Sequence, residues 1–274
     1  MWIVSTHRRS RVNALARWTY VDLRESEQAL STRFLAERPQ VLYGPLRALL
    51  SMGQEMPPLV DAQRPRVLIA TAELLRHEDQ RELKEIFGVN AADFYGMTEI
   101  GLFAIRPAGG RQYRIVADDV HVEYLPCAGD PRLERLVLTT LKPCAMPLIR
   151  YDTGDLVRRD HAAPGAPIIE FVGREIDGIL LTTGKRVSPY RLTLALETVP
   201  NITRYQVVQR ADLSVDVLLQ TTERNAAPLY QKAQAAVAGV LGPGLTVRAG
   251  ALIAAGKSIA EKFRPVRSYA SPAR

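Results

Sequence analysis

Cysteine is scarce in this sequence of 274 residues, which contains only Cys127 and Cys144. Too much chain separates the two for a CxxC redox motif or a zinc-binding pair, so we expect buried thiols. Long apolar runs are missing as well: no stretch reaches the roughly 18 to 20 residues of a bilayer span, and the first residues lack the apolar core of a signal peptide. We therefore expect a cytoplasmic protein with no membrane span.

Aromatic residues make up only 7% of the sequence, and they do not alternate with the arginines near either end. Such alternation is typical of proteins that bind single-stranded nucleic acid. The net charge of +7 is compatible with an anionic partner such as a nucleic acid, a nucleotide or a membrane surface, but charge alone does not decide between them. A nucleic-acid-binding module is motivated only by this charge, and we do not expect one. The histidines are scattered without the spacing of metal ligands.

The apolar patterns predict an α/β fold. Ser26 is a suitable cap for a first helix, and Gly88 for the end of a third one. Helices are expected at 26–37, 46–52 and 78–87, with strands at 41–43 and 66–70. From Gln112 onward short β-rich runs indicate a β-subdomain, at 113–116, 120–125, 133–139 and 168–172.

The last hundred residues read as a small α+β unit. Strands are predicted at 179–181, 203–209, 213–219 and 245–247, with helices at 189–198 and 226–241. The segment 161–167 holds two prolines and a glycine and is interpreted as a linker. We therefore predict two domains, 1–172 and 173–274.

Two segments resemble phosphate-binding loops, and we reject both. Gly250 to Ser258 has one residue too many between its glycines for a Walker A motif, and no helix-forming stretch follows it. Thr182-Thr183-Gly184-Lys185 is followed by Val187, Ser188 and Pro189 before a helix can begin. A turn between a strand and a helix is the better interpretation.

The most informative segment is Tyr95-Gly96-Met97-Thr98-Glu99, which follows a predicted strand. Taken alone, it is also compatible with a strand that ends in a turn. It resembles a signature of the adenylate-forming (AMP-forming) acid:CoA ligases, in the branch of the phenylacetate-CoA ligases and the related capsule-biosynthesis ligases. Three further segments resemble later signatures of that superfamily in the same order: Pro147 to Leu156, Gly173 to Gly178, and Gly184 to Glu197.

The resemblance implies a binding site for ATP or AMP. Tyr95 would stack on adenine, Gly96 and Met97 would lie against the nucleotide, Thr98 would face the α-phosphate, and Glu99 would bind Mg²⁺. Asp155 would hold the ribose hydroxyls, because a carboxylate accepts from both.

The resemblance also implies a catalytic set of Lys262, Arg174 and Thr98. Arg174 would meet the phosphate region, and Lys262 would stabilise the charge that develops during adenylation. Lys257 competes for this role. The loop at Gly184 and the helix after it would line the path of a thiol acceptor, most simply coenzyme A, which takes the acyl group of a carboxylic acid. The fold implied is a partial large α/β adenylating domain with a β-subdomain, followed by a small mobile α+β domain.

One family feature is missing. Residues 1–90 contain no Ser/Thr/Gly-rich loop ending in lysine, which in this superfamily holds the outer phosphates of ATP. The chain therefore resembles the C-terminal portion of a longer enzyme. Three explanations are open: a start codon assigned too far downstream, a split or decayed gene, or a naturally short protein. The upstream half of the large domain would normally cover part of this chain. We therefore expect exposed apolar surface, which is covered either by self-association or by a missing N-terminal half. A non-catalytic nucleotide-binding remnant or partner subunit is the alternative function.

Asp152 and Tyr113-Arg114 depart from the pattern of the phenylacetate branch. The sequence therefore does not identify the carboxylic acid substrate as an aryl acid.

Overall fold

A computed structural model describes residues 2–4, 19–23, 25–127, 130–142, 146–252 and 264–271. Lys257 and Lys262 therefore lie outside the described residues. The chain divides into two compact units. The first comprises the described residues up to Asp118 together with Ala162–Ile169. The second comprises those within Asp119–His161, Glu170–Ala255 and Arg264–Arg274.

The first unit is built on a seven-stranded sheet. Its strands are β1 (Trp2–Val4), β2 (Thr19–Val21), β3 (Val41–Pro45), β4 (Val67–Thr71), β5 (Ala91–Met97), β6 (Gly101–Arg106) and β7 (Arg114–Ile115), in the order β2-β1-β3-β4-β5-β6-β7. The five strands from β2 to β5 in this order run parallel, whereas β6 is antiparallel to β5 and β7 to β6. The carboxyl ends of β3, β4 and β5 therefore meet at one edge.

Three helices pack on this sheet: α1 (Glu27–Glu37), α2 (Leu46–Gln54) and α3 (His77–Phe87), and a 3₁₀ turn lies at Asp61–Gln63. The Ser26 hydroxyl accepts from the Ala29 amide at 3.2 Å, which confirms the predicted cap of α1. Gly88 ends α3 in the left-handed conformation, with φ of 74°. Leu30, Phe34 and other apolar side chains of the three helices form one core with alternate residues of β3 and β4.

The second unit contains two four-stranded sheets. The first is formed by β8 (Val120–Pro126), β9 (Glu134–Thr140), β10 (Tyr151–Arg159) and β11 (Ile168–Arg174), in the order β11-β10-β9-β8, and only the first two residues of β11 are assigned to the first unit. A 3₁₀ turn at Glu175–Asp177 leads to a two-stranded ribbon of β12 (Ile179–Leu180) and β13 (Arg186–Val187).

The second sheet of this unit follows the ribbon. Its strands are β14 (Ile202–Gln209), β15 (Val215–Thr221), β16 (Val247–Ala251) and β17 (Val266–Ser268), in the order β16-β15-β14-β17. Helices α4 (Pro189–Glu197) and α5 (Ala227–Leu241) accompany it, and Leu192, Leu196, Ala233 and Val237 pack against its apolar face.

The predicted α/β class is confirmed, and every predicted helix is present with ends within two residues of those expected. The segment 161–167, interpreted above as a linker, instead joins β10 to its neighbour β11 within one sheet. The domain boundary after residue 172 stays a prediction. None of the helices in the described ranges has the length and apolar character that a membrane span requires.

Candidate functional site

The predicted adenine-binding segment forms the end of β5 and a tight turn. Strand β5 ends at Met97, the Ile100 amide donates to the Met97 carbonyl at 3.3 Å, and β6 begins at Gly101. A Cβ at Gly96 would lie 2.6 Å from the Gly101 carbonyl oxygen. Because that atom belongs to the backbone, β5 and β6 can approach this closely only when residue 96 is glycine.

The Tyr95 side chain is held in place from one side. Its ring meets the buried Phe103 ring edge to face, with centroids 6.0 Å apart and an interplanar angle of 76°. Tyr95 is half-buried, whereas Thr98 and Glu99 are exposed in the turn. The segment thus presents a ring, a hydroxyl and a carboxylate within five consecutive residues.

The neighbouring strand end is tied to this segment. The Thr71 hydroxyl at the end of β4 donates to the Phe94 carbonyl at 2.8 Å. Next along the chain, Ala72 has a φ of 71°, a conformation that residues with a Cβ rarely adopt. In open α/β sheets, ligands bind at the carboxyl ends of parallel strands. Tyr95 and Thr71 lie at that edge.

A buried charged network underlies the same edge. Asp93, only 4% exposed, accepts a hydrogen bond from the Tyr113 hydroxyl and another from Arg106 Nη2 at 3.2 Å. Arg106 Nη2 also donates to the Leu75 carbonyl at 2.8 Å. Burial raises the pKa of Asp93 to about 6, although the Tyr113 hydrogen bond and the Arg106 charge both lower it.

Sequence reasoning missed this network as a functional feature. In the sequence Tyr113 stands out only as a departure from the phenylacetate branch, and Asp93 lies two residues before the signature. Their proximity comes from the pairing of β5 with β6, which sets Asp93 opposite Arg106. An aspartate on the buried face of a central strand was the available signal, because such a group needs partners.

The predicted ribose ligand lies on an irregular part of β10. The pairing of β10 with β9 shifts register between Asp152 and Leu156, and Gly154 has a φ of 72°. The Asp155 amide donates to the Thr153 hydroxyl at 3.1 Å, and that hydroxyl donates to the Leu136 carbonyl at 2.9 Å. These bonds fix the backbone on either side of Asp155.

Asp155 and Arg174 come together, although they belong to different signatures. Arg174 Nε lies 3.4 Å from Asp155 Oδ1, at the end of the neighbouring strand β11. The Arg174 side chain is 50% exposed and that of Asp155 only 15%. A carboxylate that accepts hydroxyl protons is therefore adjacent to a cation that can reach an anionic group.

The loop at Gly184 connects β12 with β13. Gly184 has a φ of 80°, and its amide donates to the Leu181 carbonyl at 2.9 Å. No atom lies within 4 Å of a Cβ built at this position, so glycine is favoured here by the backbone conformation rather than by space. The loop leads to Pro189, the first residue of α4.

Lys262, the predicted adenylation lysine, lies outside the described residues, as does its competitor Lys257. The chain is described again from Arg264. Arg264 Nη1 lies 2.8 Å from Asp177 Oδ1, and the Gln206 side chain donates to the Arg264 carbonyl at 2.9 Å. The backbone two residues after Lys262 is thus attached to β14.

Comparisons with known proteins support the resemblance. The phenylacetate-coenzyme A ligase of Pseudomonas putida is 33% identical over 140 residues, which cover 46% of this chain and 31% of that enzyme. The enzyme of the same name from Thermus thermophilus is 30% identical over 159 residues, which cover 50% of this chain and 34% of that one. The alignments thus span about a third of the length of these curated relatives. No family model matches the chain.

The fold agrees with the sequence similarity. A 2-hydroxyisobutyryl-CoA ligase, solved in the postadenylation state in complex with R3-HIB-AMP, superimposes with a TM-score of 0.68 at 16% identity, over 93% of this chain and 60% of that one. The chain therefore has the fold of this acyl-CoA ligase over 93% of its length.

Within the described ranges, no group of three or more His, Cys, Asp or Glu side chains is arranged to hold a metal ion. A Mg²⁺ ion that enters together with a nucleotide does not require such a cluster. Mg²⁺ that accompanies a nucleotide takes one or two carboxylates together with phosphate oxygens and water. The exposed Glu99 carboxylate fits that donor set.

Proposed function

We propose that this chain activates a carboxylic acid with ATP to give an acyl-adenylate and pyrophosphate, and that coenzyme A then accepts the acyl group. The proposal rests above all on the 3.4 Å distance between Arg174 Nε and Asp155 Oδ1. The two residues belong to different signatures that the resemblance assigns to the same nucleotide, and they are in contact in the fold. Sequence similarity to phenylacetate-coenzyme A ligases over about half of the chain supports it.

The adenosine part of the nucleotide is assigned to Tyr95 and Asp155. The Tyr95 ring, braced by Phe103, offers a face to adenine, and Gly96 and Met97 present backbone beside it. The Asp155 carboxylate accepts hydrogen bonds from both ribose hydroxyls. Two charge-assisted bonds make this the strongest single contact of the nucleoside.

The phosphate groups are assigned to polar and cationic side chains. The Thr98 hydroxyl faces the α-phosphate, Arg174 approaches the phosphate region, and Lys262 reaches the reacting carboxylate. Positive charge placed there stabilises the negative charge that develops when the carboxylate attacks the α-phosphorus and pyrophosphate departs. Glu99 would hold Mg²⁺, which neutralises phosphate charge when bound.

The thiol is assigned to the loop at Gly184 and the start of α4. Its sulfur attacks the acyl carbonyl and displaces AMP, which yields a thioester. Coenzyme A is the acceptor that the similarity to coenzyme A ligases favours. Since ATP and coenzyme A are both metabolites of the cytoplasm, we place the reaction there.

A second function is favoured by one observation. Residues 1–90 contain no Ser/Thr/Gly-rich loop ending in lysine. A chain that keeps the adenosine contacts without that loop would bind AMP and not turn over ATP. In this alternative the protein is a nucleotide-binding remnant or a subunit that acts with another polypeptide.

Calorimetric titration with AMP tests the nucleotide site. We expect Asp155→Asn to weaken AMP binding about 10- to 100-fold, because a charge-assisted hydrogen bond is worth roughly 1.5–3 kcal/mol. Asp152→Asn is the matched control, since this carboxylate lies three residues away and pairs with Arg135 at 2.8 Å. Equal AMP affinity in the wild type and Asp155→Asn would refute the ribose assignment.

A pyrophosphate-release assay with ATP, Mg²⁺ and a panel of aryl and alkyl carboxylic acids separates the two functions. Release that depends on one class of acid supports the ligase and identifies its substrate. AMP binding without release under any acid supports the non-catalytic alternative. Absence of AMP binding in the folded wild type contradicts both.

A further inference from the structure

The network of Asp93, Arg106 and Tyr113 lies where it can control the nucleotide edge of the first sheet. Asp93 and Tyr95 are two residues apart on β5, so their side chains emerge on the same face. In the adjacent strand β6, Arg106 is opposite Asp93 and Ala104 is opposite Tyr95. The charged pair therefore borders the ring assigned to adenine.

Arg106 joins three segments through one guanidinium group. Its Nη2 contacts Asp93 on β5 and the Leu75 carbonyl in the loop after β4, and the group lies 5.1 Å from the centre of the Tyr113 ring. Its Nε is buried without a hydrogen-bond partner. Because one donor of the buried guanidinium is already unpaired, the position of this group depends strongly on its contact with the Asp93 carboxylate.

We infer that Asp93 is a positioning residue for the nucleotide site: its carboxyl group anchors Arg106, which fixes the loop after β4 against β5. The inference rests on the proposed assignment of adenosine to Tyr95. Arg106 from β6 and Tyr113 from the segment before β7 are the charged and titratable groups that face Asp93. From the other side, β4 places the uncharged Ala70 opposite it.

The expected effect follows from the charge that Asp93 contributes to its contact with Arg106. With a pKa of about 6, nearly all molecules carry the carboxylate at pH 8. Asparagine keeps the shape of the side chain and removes the charge, so Asp93→Asn should weaken adenosine binding about tenfold at pH 8, the loss expected for one charge-assisted hydrogen bond. Adenosine is the suitable probe, because it has no group that titrates near this pH, whereas the phosphate of AMP does.

Calorimetry with adenosine at pH 8 tests the inference in two variants. Asp93→Asn should bind adenosine about tenfold more weakly than the wild type. Asp61→Asn is the control, since its side chain is 91% exposed in the same unit, and it should follow the wild type.

Hydrogen exchange in the nucleotide-free protein gives an independent readout. Because burial raises the pKa of Asp93, the closed edge binds the proton more tightly than an opened edge does. After correction for the intrinsic pH dependence, amides of β5 and of the loop after β4 should therefore gain protection as the pH falls through 6 in the wild type, and they should show no such change in Asp93→Asn. Tyr113→Phe removes a hydrogen bond that lowers the pKa of Asp93, so it should move the midpoint of this change to higher pH. Failure of the wild type to bind adenosine at pH 8 counts against the proposed function, and exchange alone then decides the coupling. Wild-type protection that stays constant with pH, or equal adenosine affinity in the wild type and Asp93→Asn, would overturn the inference.

Discussion

Gln209 holds the ribbon that carries the Gly184 loop, and its removal should be costly. Its side chain is 0% exposed, its Oε1 accepts from the Leu180 amide at 2.8 Å, and its Nε2 donates to the Leu180 carbonyl at 2.8 Å. The Ser268 hydroxyl donates to the same Oε1 at 2.8 Å. One amide thus joins β12, β14 and the end of β17.

We therefore predict a large loss of stability for Gln209→Leu. Leucine keeps the apolar volume but leaves the Leu180 amide and carbonyl buried without these partners, at about 1–3 kcal/mol for each group, or roughly 2–6 kcal/mol in all. That is a large fraction of the roughly 5–15 kcal/mol by which a protein is usually stable. Gln220→Leu on the exposed side of β15 is the matched control and should change stability by less than about 0.5 kcal/mol.

Urea unfolding followed by circular dichroism measures both variants, and hydrogen exchange at Leu180 localises the effect. Because the chain has two units, the loss should fall on the transition of the second unit, while the first unit unfolds as in the wild type. A Gln209→Leu protein within about 1 kcal/mol of the wild type, with Leu180 still protected, would refute the reasoning.

Three further predictions concern the first unit and the surface. Because the folded-state pKa of Asp93 is raised from 3.8 to about 6, its stabilising contribution is present at low pH and lost as the pH rises through 6. Relative to Asp93→Asn, the wild type should gain about 1.4 kcal/mol between pH 7.5 and pH 5 in urea titrations, and a constant difference would contradict this. Gly96→Ala should cost about 1–3 kcal/mol, since its Cβ meets the Gly101 carbonyl, whereas Gly239→Ala in α5 has open space and should stabilise by about 0.5–1 kcal/mol. Ile149, 75% exposed, contributes to the expected self-association, so light scattering should show a smaller mass for Ile149→Lys, and a monodisperse wild-type monomer would exclude this.

The helices were predictable because their signals are local. Ser26 before α1, Gly88 after α3 and Pro189 at the start of α4 each act on the backbone within one turn. Strands β1 and β2 were missed because three residues are too few for an alternating pattern. The sheet order was also beyond the sequence pattern, since strand pairing depends on contacts between distant residues.

Strand β10 shows why a functional segment can hide an element. Its register shift between Asp152 and Leu156 interrupts the alternation that would mark a strand. The same irregularity sets the backbone around Asp155. A motif that was recognised for its chemistry was therefore not recognised as part of a sheet, and the proximity of Asp155 to Arg174 followed only from the neighbouring strand β11.

The fold accounts for some residues of the signatures and not for others. Gly96 is required by the close approach of β5 and β6, and Gly184 by its positive φ, whether or not a ligand binds. Thr98 and Glu99 occupy an exposed turn that accepts many polar residues, and Arg174 is half exposed. Packing demands neither a hydroxyl, a carboxylate nor a guanidinium at these three positions. They are therefore the residues whose replacement should separate nucleotide chemistry from folding, because their loss should leave the unfolding transition unchanged while it weakens the binding of phosphate and Mg²⁺.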